Sequence, residues 1–251
     1  MGYRLNKLRS LLHWLVVGSA SPAGTGCSLP SIDGRQDASG GEGSAGGPRL
    51  LTVSLFAVAA FCVVSFVSLD RPIAYGCRAL GHGVRQFFRF IATFGLAGWY
   101  LVPSLLLFIL FRFRSRKPAW AGRALFVFLA VSFSGISVDI LKFILGRYRP
   151  AMLFRENLYG FAFFKTAFLA TSFPSGHAAV AAALALSLHA IWPRFRVLYA
   201  LAALLVIASR VATSVHYLSD VVAGSYVAVI TTLAVKRLFA ASGIDLRHGG
   251  M

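Results

Sequence analysis

The chain has 251 residues, 57% of them apolar, and a mean hydropathy of +0.72. Soluble domains carry about 45 to 50% apolar residues, so an ordinary water-soluble globule is excluded and a polytopic membrane protein is predicted. The formal net charge of +17, from 25 Lys and Arg against 8 Asp and Glu, would suit a nucleic-acid partner. The cations, however, lie in short segments between apolar runs, which anionic lipid and the positive-inside bias explain better.

Residues 1–49 differ from the rest: Arg4, Lys7 and Arg9 precede a short apolar run, Leu11 to Val17, and Gly-, Ser- and Pro-rich sequence follows to Pro48. This predicts a basic N-terminal tail with a surface-lying helix and a flexible stretch. A cleaved signal peptide fits less well, because its loss would leave residue 50 entering from outside and invert the topology that the later loops support. Residues 50–240 are expected to form one all-α membrane domain, followed by a cytoplasmic tail over 241–251. A bilayer core needs about 20 apolar residues per helix, and six segments approach that length: 50–69, 90–111, 124–145, 176–192, 197–214 and 219–235. The link from Pro193 to Arg196 is so short that the fourth and fifth spans must form an antiparallel hairpin. Cys27, Cys62 and Cys77 show no metal-ligand spacing, and Cys62 falls within a span, so neither a zinc site nor a disulfide framework is expected.

Parity of six crossings places both termini, loop 112–123 and loop 193–196 on one face with fifteen of the 25 Lys and Arg, and ten on the other. The first face is therefore expected to be cytoplasmic. The second carries three strings at the ends of spans: Lys142-x6-Arg149-Pro150, Pro174-Ser175-Gly176-His177, and Arg210-x5-His216-x3-Asp220. Lys142, Arg149 and Arg210 supply fixed positive groups for phosphate oxygens, arginine as a two-toothed fork and lysine as a point charge. Pro150 is expected to stop further coiling after the third span. Ser175 and Gly176 open the fourth helix, where unpaired N–H groups favour an anion, and His177 sits in its first turn. His216 and Asp220, four residues apart, would share a helix face, with Asp220 accepting the Nδ1 proton and Nε2 left free to attack phosphorus. This is a metal-free phosphate-handling site, with fixed cations, a nucleophile and an acid.

Together the three strings resemble the signature of the type 2 phosphatidic acid phosphatase (PAP2) family, which also includes vanadium haloperoxidases and glucose-6-phosphatase-like enzymes. No position of the signature departs from the pattern, and the match spans residues 142–220. The resemblance implies a six-helix bundle, a phosphohistidine intermediate on His216, and His177 as acid and then base. It also implies a lipid phosphate or lipid pyrophosphate substrate and no metal or other cofactor.

Several readings stand open beside this one. Asp139 either pairs with Lys142 at i to i+3 or makes a polar contact between helices. Phe154, Tyr159, Phe161, Phe163 and Phe164 lie at the membrane interface or wall a substrate entrance. Glu156 and Lys165 are weak candidates for head-group contact, and His189 is expected on the cytoplasmic side, away from the site. The same site serves hydrolysis or phosphoryl transfer to a second lipid. A non-enzymatic anion pore or bis-histidine haem carrier is the rival class, disfavoured because the cations gather at one end and the histidines sit among phosphate-type ligands. Lipid A, undecaprenyl pyrophosphate, phosphatidylglycerol phosphate and phosphatidic acid all fit as substrates. The compact spans and basic loops look bacterial, which predicts an inner-membrane protein with the site facing the periplasm. The oligomeric state has no signature in the sequence.

Overall fold

A computed structural model describes residues 2–17 and 46–247, and among them ten α-helices follow one another with no named strand. Helix α1 (Gly2–Val17) is followed by α2 (Gly46–Val64), which runs through a π-turn at Ser65–Leu69 into α3 (Asp70–Arg78). The apolar part, Arg49–Arg78, makes one 30-residue helix. After a break at 79–81, α4 (His82–Thr93) and α5 (Gly98–Ile109) form the second apolar unit, interrupted at 94–97 and ending in a π-turn at Leu110–Arg114. The predicted loop 70–89 is therefore largely helical. Its many arginines lie on amphipathic turns, which place charge at the surface without breaking the backbone ladder.

The third apolar helix, α6 (Pro118–Leu145), opens with Pro118, whose missing N–H costs nothing there, and ends where Gly146 turns to a φ of 46°. The segment expected to be a loop carries α7 (Pro150–Glu156) and two isolated bridges that pair Arg147 with Phe161 and with Thr171. Pro150 thus starts a new helix rather than ending coiling. Helix α8 (Gly176–Ile191) leads through a tight 3-10 turn at Pro193–Phe195 into α9 (Arg196–Ala212), the predicted hairpin, and α10 (Leu218–Ala241) closes the bundle. Among the described residues five helical stretches are long and apolar enough to cross a bilayer. The remaining one of the six predicted spans, the fourth, is α8, with 16 residues, about 24 Å at 1.5 Å per residue, against a core of about 30 Å.

Helix α8 is the hub, with α6, α9 and α10 packed around it. Its inward positions are small (Ala178, Ala179, Ala181, Ala183), which lets neighbouring backbones approach closely. Leucine, valine and phenylalanine of α2, such as Val53, Phe56 and Val63, face outward where lipid replaces water. At one end of the bundle Leu12 and Val16 of α1 pack with Phe108, Phe126, Phe239, Ile244 and Leu246. Arg112 Nε donates to the Leu15 carbonyl at 2.6 Å, and Arg123 Nε to the Leu246 carbonyl at 3.0 Å. Parts of both predicted tails are therefore built into the bundle, while residues 18–45, most of the flexible stretch expected up to Pro48 and including Cys27, and residues 248–251 lie outside the described residues.

Candidate active site

At the other end the tips of α6, α8 and α9 and the loops 146–175 and 213–217 enclose a cavity of about 430 Å³. Six predicted residues line it: Lys142, Arg149, Gly176, His177, Arg210 and His216. Lys142 pairs with Asp139 at 3.1 Å, which settles that pair as an i to i+3 contact. A Cβ on Gly176 would lie 3.1 Å from Lys142 Nζ, so the glycine gives the ammonium room beside the start of α8. Arg149 is held by backbone carbonyls: Nε donates to Phe168 at 2.7 Å, Nη1 to Val215 at 3.3 Å and Nη2 to Thr171 at 3.3 Å. Burial and the neighbouring Arg210 lower Arg149 to about 10, which leaves it cationic at neutral pH. Thr166 and Lys165 complete the outer rim, with Lys165 over the ring of Tyr148.

Ser175 and Asp220 stand behind the wall. Ser175 precedes α8 in an extended conformation, its N–H donates to the Asp220 carbonyl at 2.9 Å, and its buried Oγ has no partner among the described residues. Gly224 allows this contact, since a Cβ there would collide with the Ser175 carbonyl. His216 lies two residues before α10 rather than on it, so the predicted shared helix face with Asp220 does not form. Its Nδ1 donates instead to the Ser172 carbonyl at 2.8 Å, and the Asp220 carboxylate is 3.5 Å away. A carbonyl can only accept, so this bond fixes the proton on Nδ1 and leaves the Nε2 lone pair toward the cavity, 3.5 Å from Arg149 Nη1. Burial pushes the His216 imidazole down to about 4. It is neutral at pH 7.

Asp220 has other partners. It accepts from Ser172 Oγ at 2.5 Å and from the Tyr217 N–H at 2.9 Å, the latter satisfying a backbone donor at the start of α10. Its other oxygen takes a 2.6 Å bond from Arg147 Nη1. Arg147, Ser172 and Asp70 are buried components that the sequence reading missed. Arg147 lies inside the Lys142-x6-Arg149 string, and Asp70 is one of only eight acidic residues, at the end of an apolar span. An acid and an arginine at such depth are a signal to look for a pair. Burial works against the charge of Arg147, but Asp220 and Asp70 outweigh it and hold its pKa above the ordinary value. Gly95, in the break of the second apolar unit, was also missed: a Cβ there would lie 2.7 Å from the His177 ring.

The predicted aromatics divide. Tyr159 turns inward against Arg147, Phe161 touches Arg147 with one face while remaining exposed on the other, Phe154 stacks near Tyr75 and Arg78, and Phe163 and Phe164 are exposed. Glu156 is exposed at the end of α7 and does not line the cavity, and His189 lines a separate one with Arg196. Among the described residues no group of three or more His, Cys, Asp or Glu could hold a metal ion.

Comparison with known proteins gives a consistent picture. The PAP2 superfamily profile matches residues 123–244. A lipid A 1-phosphatase of Rhizobium johnstonii is 30% identical over 202 residues, covering 76% of this chain and 81% of the relative. A lipid A 1-phosphatase of Rhizobium etli is 30% identical over 173 residues, with 64% and 73% covered. The crystal structure of Aquifex aeolicus LpxE superposes with a TM-score of 0.50 at 26% identity, over 68% of this chain and 96% of that one. A transmembrane PAP2-type phosphatidylglycerolphosphate phosphatase from Bacillus subtilis shares the fold, with a TM-score of 0.53 at 20% identity over 77% and 96%.

Proposed function

The chain belongs to the PAP2 superfamily, and from that membership and the cavity's geometry we propose that it is an integral-membrane lipid phosphatase. Its mechanism passes through a phosphohistidine. Lys142, Arg149, Arg210 and the free N–H groups at the start of α8 grip the phosphate oxygens. His216 Nε2 attacks phosphorus, the P–N bond forms as the bond to the lipid oxygen breaks, and His177 gives that oxygen its proton. Water then attacks the phosphohistidine, His177 takes the proton, and phosphate leaves with His216 restored. No metal enters either step. The observation that carries this reading is the 2.8 Å bond from His216 Nδ1 to the Ser172 carbonyl, which presents a bare Nε2 to a cavity walled by cations.

Among membrane lipid phosphates, a lipid A phosphate ranks first, because two relatives at 30% identity are lipid A 1-phosphatases. Undecaprenyl pyrophosphate, phosphatidylglycerol phosphate and phosphatidic acid follow. The excess of Lys and Arg on the face with the termini supports an inner-membrane protein with cytoplasmic termini and the cavity open to the periplasm. Residues 50–240 act as the catalytic domain, with 1–49 and 241–251 as flanking segments. Phosphate release from a panel of these four lipids in detergent, wild type beside His216→Ala, tests the assignment. Lipid A should give the highest kcat/KM and His216→Ala should be inactive. Equal turnover by the two proteins would end the nucleophile assignment, and labelled lipid product in place of free phosphate would make the protein a transferase.

A further inference from the structure

We propose that Asp70, on the first span and far from the cavity in sequence, is a positioning residue for His216 that acts through Arg147 and Asp220. The proposal rests on the reading of His216 as nucleophile. Asp70, Arg147 and Asp220 are all fully buried. The guanidinium is shared between the two acids: Nη2 donates to Asp70 Oδ2 at 2.8 Å, and Nη1 to Asp220 Oδ1 at 2.6 Å. Ser219 ties the same groups together. Its N–H donates to Asp70 Oδ1 at 3.0 Å, its hydroxyl accepts from Arg147 Nη1 at 2.7 Å, and that hydroxyl donates to Asp70 Oδ2. Ser65 Oγ adds a fourth bond to Asp70 at 2.8 Å. Phe66, Tyr159, Phe161 and Tyr217 enclose the guanidinium, with ring centres 4.3 to 5.7 Å from its carbon.

This arrangement has a consequence for the nucleophile. An arginine facing one carboxylate closes on it as a two-toothed fork and cancels its charge. Here each tooth is claimed by a different acid, so Arg147 cannot close on Asp220. Asp220 keeps Oδ2 for Ser172 Oγ, next to the imidazole. The two acids and one arginine carry one net negative charge behind a neutral His216. When Nε2 bonds to phosphorus the imidazole becomes cationic, and the surplus negative charge is then opposite a positive one. Stabilisation that appears only as the reaction proceeds raises kcat rather than affinity. Stability alone is a weak reason for such a cluster, because buried ion pairs are often replaceable by apolar groups at no cost.

The test is steady-state and rapid-quench kinetics on purified full-length protein with ³²P-labelled lipid A in detergent micelles. Asp70→Asn is expected to lower kcat by about tenfold to a hundredfold, the range seen when a metal-ligating residue loses its outer hydrogen-bond partner, with KM unchanged. Phosphohistidine should build up more slowly by the same factor. If the two residues act as a unit, Asp70→Asn combined with Arg147→Met should be no slower than Arg147→Met alone. A wild-type kcat for Asp70→Asn, losses that multiply in the double variant, or a raised KM at intact kcat would each overturn the proposal. Should Asp70→Asn fail to fold, Ser219→Ala keeps every charge and removes only the bridging hydroxyl. It is expected to lower kcat severalfold at unchanged KM, and a wild-type kcat there would overturn the proposal equally. His216→Ala run in parallel separates the two ideas. Activity in that variant defeats the nucleophile reading, whereas an inactive His216→Ala beside a fully active Asp70→Asn defeats the role of Asp70 alone.

Discussion

The two ends of the bundle are built on opposite principles. At the cavity end the buried side chains are Asp70, Arg147, Ser172, Ser219 and Asp220, joined by directional hydrogen bonds that leave each charged group facing a partner. At the other end Leu12, Val16, Phe126, Phe239, Ile244 and Leu246 meet through apolar contact, with Phe126 edge-on to Phe239 at 5.3 Å between ring centres. Apolar packing is indifferent to small rotations, whereas a hydrogen-bonded network fixes angles. The end where we propose that a phosphoryl group is held in line with an imidazole is the end that uses bonds with direction.

Substitutions at the two ends should therefore separate chemistry from stability. The largest expected effect is that of His216→Ala, which should lower kcat by more than about a thousandfold while leaving the melting temperature in detergent within a few degrees of wild type. Its mirror image is Phe126→Ala, expected to cost about 3 to 5 kcal/mol of stability in a thermal or denaturant melt, with kcat at low temperature preserved. If Phe126→Ala slowed turnover as much as it destabilised the fold, the division between the ends would be lost. Next is Gly95→Ala. Its added Cβ would lie 2.7 Å from the His177 ring, and a displaced acid should slow turnover by about tenfold to a hundredfold. In the step that forms the phosphohistidine, the loss should be greatest for lipids with the poorest leaving groups and small for an activated aryl phosphate, whose leaving oxygen needs no proton.

The smallest effect sharpens the comparison through pH. His216 is held neutral, at about 4 in the fold against 6.5 for the free side chain. The unfolded chain thus takes up this proton first as pH falls. The contribution is fully present above about 6.5 and is lost as pH drops toward about 4. Wild type should accordingly lose more melting temperature between pH 7 and pH 4.5 than His216→Ala does. An equal loss in both would place the acid sensitivity elsewhere.

The residues that face the cavity were legible in the sequence because each sits at the tip of an apolar run within a short fixed spacing: Lys142 with Arg149, Gly176 with His177, Arg210 with His216. What lies behind them was not, since Asp70 meets Arg147 across 77 positions and Ser172 meets Asp220 across 48. No local period records such a meeting. The His216–Asp220 spacing was misleading for a related reason: an i, i+4 pair shares a face only if both residues are helical, and α10 begins at Leu218. The arginines of 70–89 hid two amphipathic helices, because a hydropathy window averages over a turn and discards which side the charges occupy.

The π-turn at Ser65–Leu69 bears on all of this. Such a turn is an α-helix carrying one surplus residue, and each residue of an α-helix rotates the chain by about 100°. The surplus swings everything beyond it, Asp70 included, around the axis of the first span. Winding the same residues as a regular α-helix would turn Asp70 about 100° away from Arg147, whereas removing Val67, which faces outward, would let the turn relax with Asp70 kept on its present side. The aim of a buried acid is thus encoded in this span by residue count as well as by residue type.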